Sequence, residues 1–136
     1  MAMNNSAHNE DHAEVKTIMI VEDDESIGEF LLQAIQKETP YQAVLASHGF
    51  EALTMVRTLK PNLLILDYDL PDMNGITLYD TIHAIKTLEN LPALLITAQA
   101  VYKEVKARRL PLLKKPFELT DLLNQIERLL AEPGLW

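Results

Sequence analysis

Acidic side chains, a hydroxyl and an ammonium group occur where apolar segments of the sequence end. Glu22 and Asp23 follow the run TIMIV, Asp67 ends NLLILD, Thr97 ends ALLIT, and Lys115 comes shortly after LPLL. Crowded carboxylates repel one another, and a divalent cation relieves that repulsion. Oxygen ligands suit Mg²⁺ or Mn²⁺ rather than zinc. A carboxylate can also be a nucleophile, and these groups together can hold a phosphoryl group. The residues therefore predict phosphoryl transfer onto Asp67.

Alternating strands and helices are predicted to position these residues. Apolar runs predict five strands, at 17–21, 41–46, 62–67, 93–97 and 110–113. Apolar residues at helical spacing predict helices around 27–35, 52–59, 76–85, 101–105 and 119–131. Strict alternation predicts an α/β fold with a parallel sheet between two helical layers. Five units fit the flavodoxin-like (βα)5 sandwich with strand order 2-1-3-4-5, in which sites form at the carboxyl ends of the strands.

Particular residues are expected to shape the ends of these elements. Asp24 or Ser26 is predicted to cap the first helix, and Thr120 the last. Asp72 is predicted to be a turn residue, and Gly75 to supply backbone freedom in the turn before the third helix.

Composition limits the classes of function that remain. The 136 residues are 48% hydrophobic and 24% charged, as expected for one globular domain. The chain has no cysteine, which excludes disulfides and thiol catalysis. A net charge of −8 argues against nucleic acid as a partner. Apolar runs fall short of the ~18 residues that a membrane span needs. The polar N-terminus lacks the features of a secretory signal, so we expect a cytoplasmic protein with no membrane partner.

One domain is predicted at residues 16–131. Residues 1–15 are polar and acidic and are predicted to form a disordered arm, and residues 132–136 a short tail. No output domain is expected after residue 131.

Four sequence segments resemble the receiver domain of bacterial two-component response regulators. TIMIVEDDESI is similar to the first strand of that family with its acidic pair, and NLLILDYDLPDMNG to the phosphoacceptor strand and loop. LLITA and LLKKPFE are similar to the fourth and fifth strands with their hydroxyl and lysine. The four segments occur in the same order as in that family, so together they are specific for the receiver domain. The resemblance covers about residues 16–131 and implies a chemotaxis-regulator-like signalling protein.

The resemblance implies a site for Mg²⁺ or Mn²⁺. The carboxylates of Asp23 and Asp67 and the backbone carbonyl of Asp69 would bind the ion, and Glu22 would act through water. The partner would be a histidine kinase or a histidine phosphotransfer protein, from which Asp67 takes the phosphoryl group.

The remaining site residues would bind the phosphoryl group. The hydroxyl of Thr97 and the amide of Ala98 would contact its oxygens, and Lys115 would neutralise its charge. The peptide bond from Lys115 to Pro116 would be cis. The protein would be a signalling protein rather than a classical enzyme, although its own groups would catalyse phosphorylation and dephosphorylation.

Two features depart from the family pattern. The resemblance implies that Thr97 and residue 112 are the switch positions, and Leu112 stands where the family usually has an aromatic ring or histidine. Thr97 and Lys115 are only 18 positions apart, which predicts a short or irregular fourth helix. This segment carries Lys103, Lys106, Arg108 and Arg109, which form either a docking face for a partner or a solvated surface.

Three other classes are weighed against a phosphorylated switch. A pseudo-receiver scaffold would keep the fold without a phosphoryl cycle, and Leu112 keeps this class open. A haloacid-dehalogenase-type phosphatase would use the Asp67-x-Asp69 pair, but its metal-binding acids follow that pair in sequence instead of preceding it. A flavodoxin-type flavin binder needs a different loop after the first strand. The downstream protein partner is unknown, and a weak homodimer is left open.

Overall fold

Five strands and five helices alternate in the computed structural model, which describes residues 15–131. The strands are β1 (Thr17–Val21), β2 (Gln42–Ala46), β3 (Leu63–Asp67), β4 (Ala93–Thr97) and β5 (Leu112–Lys114). The helices are α1 (Glu25–Glu38), α2 (Gly49–Leu59), α3 (Gly75–His83), α4 (Tyr102–Arg108) and α5 (Leu119–Leu129). The predicted C-terminal tail, and all but the last residue of the predicted N-terminal arm, lie outside the described residues.

All five strands are parallel and lie in the order β2-β1-β3-β4-β5, which confirms the predicted topology. The apolar runs are explained by burial on both faces of the sheet, since every residue of β3 and β4 is buried. The register pairs Val21 with Leu66, Asp67 with Ile96, and Thr97 with Lys114. Neighbouring strands therefore end at nearly the same level.

Helices cover both faces of the sheet, and each face has its own core. Alternate residues of β1 divide between the two, with Met19 in one core and Ile20 in the other. The first core is formed with α2, α3 and α4, and the second with α1 and α5. None of the described helices has the length and apolarity that a membrane crossing requires.

The ends of the first and last helices test the capping predictions. The carboxylate of Asp24 accepts a 2.9 Å hydrogen bond from the N–H of Ile27, so Asp24 caps α1. The prediction of Thr120 as the cap of α5 is wrong. The helix starts earlier, with Glu118 at the cap position, and the carboxylate of Asp121 accepts the N–H of Glu118 at 3.2 Å.

The apolar face of α1 is narrower than its spacing suggests. Leu31 and Ile35 are buried, but Ile27 and Phe30 are 40% and 57% exposed. Helical spacing of apolar residues therefore does not mean that each of them is buried. The side chains of Ile27 and Phe30 form an apolar part of the exposed surface of α1.

The fourth helix has only seven residues, as the short segment before Lys115 predicts. Arg108 at its end binds both carboxylate oxygens of Asp80 on α3 at 2.8 Å. Arg108 is therefore committed to an internal ion pair, whereas Lys103, Lys106 and Arg109 are exposed.

Gly75 is required for close approach rather than for backbone freedom. A Cβ at this position would lie 2.5 Å from the backbone carbonyl oxygen of Asp67 and 2.8 Å from a methyl group of Leu95. The start of α3 thus packs directly on the end of β3.

We expect Gly75→Ala to lower the free energy of unfolding by about 2 kcal/mol, because a backbone carbonyl cannot move aside as a side chain can. Gly28→Ala is the matched control, since the nearest atoms there are the flexible methyl groups of Leu45. Urea unfolding of both variants checks this. Equal losses in the two variants would contradict the explanation.

Candidate functional site

The site lies at the carboxyl edge of the sheet, where four strands deliver polar side chains. Glu22 and Asp23 follow β1, Asp67 and Thr97 end β3 and β4, and Lys115 follows β5. Backbone hydrogen bonds continue past the strand ends, because the N–H of Lys115 donates to the carbonyl of Thr97 at 2.9 Å. The residues predicted from separate parts of the sequence are thus held at one edge.

Three carboxylates form a cluster at this edge. Glu22, Asp23 and Asp67 each offer one oxygen atom, and these oxygens lie within 4.8 Å of one another. Glu22 and Asp67 are buried, whereas Asp23 is exposed. An all-oxygen donor set with one exposed member fits Mg²⁺, which binds through carboxylates and keeps several waters.

Burial makes this cluster electrostatically unfavourable when it is fully ionised. It raises the pKa of Glu22 to about 7, although the N–H of Asp24 donates to the carboxylate at 3.1 Å and opposes the shift. Burial also raises the pKa of Asp67, and Lys115 opposes that shift. A cation bound at the cluster would favour the ionised form of both acids.

Lys115 supplies the ammonium group of the site. Its Nζ donates to Oδ1 of Asp67 at 3.2 Å, and its side chain remains partly exposed. The peptide bond to Pro116 is cis, as expected.

Thr97 presents a buried hydroxyl at the end of β4, the strand that pairs with β3. Its Oγ1 accepts the N–H of Gln99 at 2.9 Å, which leaves the hydroxyl proton free to be donated. Ala98, the next residue, is exposed.

Two contacts at this edge are not predicted from the sequence. Gln99 Nε2 donates to Oδ1 of Asp69 at 2.7 Å, which ties the loop after β4 to the loop after β3. Asp72, predicted to be a turn residue, accepts hydrogen bonds from the N–H groups of Gly49 and Phe50. In each of these contacts the two bonded residues are far apart in sequence. The sequence indicates only that the segments involved follow strands that end at the same edge of the sheet.

Leu112 lies at the start of β5, opposite Leu95 of β4. It is half-buried and packs against the core on the side of α2, α3 and α4. Leu112 thus contributes apolar packing and carries neither a ring nor a polar tip.

Comparison with known proteins decides the family. Residues 18–127 match the family model described as the response regulator receiver domain. The chain belongs to this family. Receiver domains of this kind are components of two-component signal transduction, and they interact with histidine kinases.

Solved receiver structures share the fold. The non-phosphorylated HemR receiver domain of Leptospira biflexa is 31% identical, with a TM-score of 0.76, over 86% of this chain and 95% of that one. A CheY-like receiver domain protein of Methanospirillum hungatei is 26% identical, with a TM-score of 0.78, over 86% and 94% of the two chains.

A curated relative is longer than this chain. The DNA-binding response regulator MtrA of Mycolicibacterium paratuberculosis is 32% identical over 113 residues, which are 80% of this chain and 48% of that protein. The chain thus spans about half the length of this relative. The expectation that nucleic acid is not a partner stays a prediction.

The buried position of Glu22 predicts a pH dependence of stability in the absence of divalent cations. The folded pKa of about 7 exceeds the ordinary 4.5, so the stabilising contribution is complete below pH 4.5 and is lost as the pH rises through 7. We expect this loss to be about 1–3 kcal/mol. Urea unfolding between pH 4.5 and 8 checks it.

Glu22→Gln is the informative variant, because an amide cannot ionise and its oxygen can still accept the N–H of Asp24. The stability of this variant relative to wild type should therefore improve as the pH rises. Parallel pH profiles for the two proteins would contradict the assignment.

Proposed function

We propose that Asp67 accepts a phosphoryl group from a histidine kinase or a histidine phosphotransfer protein, in a Mg²⁺-dependent reaction, and that the protein acts as a phosphorylation-controlled switch through protein contacts. The observation that carries this proposal is the surroundings of one carboxylate. Asp67 has the ammonium of Lys115 at 3.2 Å, and oxygens of Glu22 and Asp23 lie within 4.8 Å of one of its own.

The transfer exchanges one bond to phosphorus for another. A carboxylate oxygen of Asp67 attacks the phosphorus in line with the phosphohistidine nitrogen. The phosphorus–nitrogen bond breaks, its electron pair stays on the imidazole, and an acyl phosphate forms. Positioning and charge neutralisation dominate this chemistry, so a rigid strand end is a suitable place for the acceptor.

Residues of this chain stabilise the negative charge of the transferred phosphoryl group. Lys115 neutralises one phosphoryl oxygen, and the hydroxyl of Thr97 and the amide of Ala98 donate to others. Bound Mg²⁺ would neutralise further negative charge. Asp23, Asp67 and the backbone carbonyl of Asp69 would hold it, with Glu22 acting through water.

In this role the protein is a signalling protein, and hydrolysis of the acyl phosphate resets it. Residues 16–131 would form the receiver domain, and its location would be cytoplasmic. The signal would leave through contact with a downstream protein.

A scaffold without a phosphoryl cycle is the second candidate, and Leu112 at the switch position favours it. In the usual switch an aromatic ring follows the hydroxyl residue inward after phosphorylation. Leu112 cannot present a ring, so the output step would differ even where Asp67 is phosphorylated.

Incubation with Mg²⁺ and acetyl phosphate should add one phosphoryl group to the wild-type protein, measured as intact mass. Asp67→Asn should abolish the gain, because the amide is not a nucleophile for this reaction. Asp80→Asn is the control, since Asp80 lies on α3 and pairs with Arg108. No gain in the wild type would favour the scaffold, and rapid turnover of free phosphate esters would favour a phosphatase.

The exposed apolar side chains of α1 suit the partner that brings the phosphohistidine. This helix begins immediately after the acidic pair, with Asp24 as its cap. A hollow of about 230 Å³ between α1 and the start of α5 is lined by Phe30, Ala34 and Leu119. A protein that places its imidazole at Asp67 must cover nearby surface, and we propose that it contacts Phe30.

Phe30→Ala should slow phosphoryl transfer from a phosphorylated histidine phosphotransfer protein by about tenfold, because an aromatic anchor at an interface is worth over 1 kcal/mol. The rate with acetyl phosphate should not change. Tyr102→Ala is the matched control, since Tyr102 is similarly exposed but lies on α4, on the other side of the sheet. Equal slowing with both donors would remove Phe30 from the docking surface.

A further inference from the structure

The loop after the phosphoacceptor strand is fastened to a helix that carries none of the proposed site residues. The carboxylate of Asp72 accepts the N–H of Gly49 through Oδ1 and the N–H of Phe50 through Oδ2, each at 2.9 Å. Both N–H groups belong to the first turn of α2, where the helix itself provides no acceptor. We call this pair of hydrogen bonds the Asp72 clamp.

The clamp is reinforced by close packing next to it. A Cβ on Gly49 would lie 2.7 Å from the side chain of Met73, so Met73 packs directly against the start of α2. Burial acts to raise the pKa of Asp72, but the N–H groups of Phe50 and Gly49 outweigh it and hold the pKa below its usual value. The clamp is therefore made by a carboxylate at neutral pH.

The helix also has a cap from its own sequence. Nδ1 of His48 accepts the N–H of Glu51 at 3.2 Å, as a local N-cap does. Asp72 comes from a segment more than 20 positions away and binds two other N–H groups. Its contacts join two segments instead of completing one helix.

The loop that Asp72 fastens is closed on itself at its base. The N–H of Gly75 donates to the carbonyl of Tyr68 at 2.8 Å, and Asp69 pairs with Asn74 across the loop. Asp69 and Asp72 are therefore parts of one small ring of chain. Only two residues separate Asp69 from Asp72 in this ring, so the contact of Asp72 with α2 constrains the loop that carries the Asp69 carbonyl.

We propose that Asp72 is a positioning residue for the metal site: it holds the loop on α2 so that the carbonyl of Asp69 faces the carboxylate cluster. The inference rests on the proposed function, in which that carbonyl binds Mg²⁺. Coupling of this kind is reciprocal. If the clamp favours Mg²⁺ binding, Mg²⁺ must strengthen the clamp. Binding of Mg²⁺ at the carboxylate cluster would then stabilise the hydrogen bonds at the first turn of α2.

Titration of the full chain with Mg²⁺ alone, followed by amide NMR, tests the proposal. We expect Asp72→Asn to weaken Mg²⁺ binding about fivefold or more, because an amide has one carbonyl acceptor in place of two carboxylate oxygens. In the wild type, Mg²⁺ should slow hydrogen exchange at the amides of Gly49 and Phe50 by a similar factor. A residue that only caps the helix would leave this exchange independent of Mg²⁺.

Asp80→Asn is the matched control, since it removes the same charge and likewise leaves one acceptor oxygen in place of the two that bind Arg108. Equal Mg²⁺ affinity of Asp72→Asn and Asp80→Asn, in a wild-type background that binds Mg²⁺, would overturn the clamp alone. A wild-type protein that takes up no Mg²⁺ would overturn the metal site of the proposed function and the clamp with it. Asp72→Ala serves as a second variant, and circular dichroism shows whether each variant is folded.

Discussion

The repulsion among three carboxylates at one sheet edge, two of them buried, is the constraint on which this molecule depends. Glu22, Asp23 and Asp67 are brought together because β1 and β3 are neighbours in register. In a low dielectric such a cluster is costly unless positive charge is close by. The ammonium of Lys115 supplies part of that charge. The negative charge that remains would favour the binding of a dication at this edge.

The grouping of these side chains was predictable because a parallel sheet brings strand ends together. Asp67 and Thr97 each end an apolar run, and those runs match β3 and β4 to within one residue. Strict alternation of strands and helices then left few arrangements, and the observed strand order is the expected one.

Features that depend on long-range contacts were not predictable. Asp72 has the composition of an ordinary turn residue, and nothing local indicates that its partners lie in α2. Phe30 shares the helical spacing of the core residues but is exposed. Helical spacing identifies the apolar face of a helix but does not give the width of the buried part of that face. The cap of α5 was misplaced by local pattern, since Thr120 lies inside the first turn.

The strand next to the site's ammonium group is also the shortest and outermost. β5 has three residues and pairs only with β4 in the described part of the chain. Few backbone hydrogen bonds join β5 to β4, so local opening of this edge strand requires far less free energy than unfolding of the whole domain. Fraying would withdraw Lys115 from Asp67 while the central strands stayed intact. The positive charge beside Asp67 is therefore carried by the residue that follows the shortest strand of the sheet.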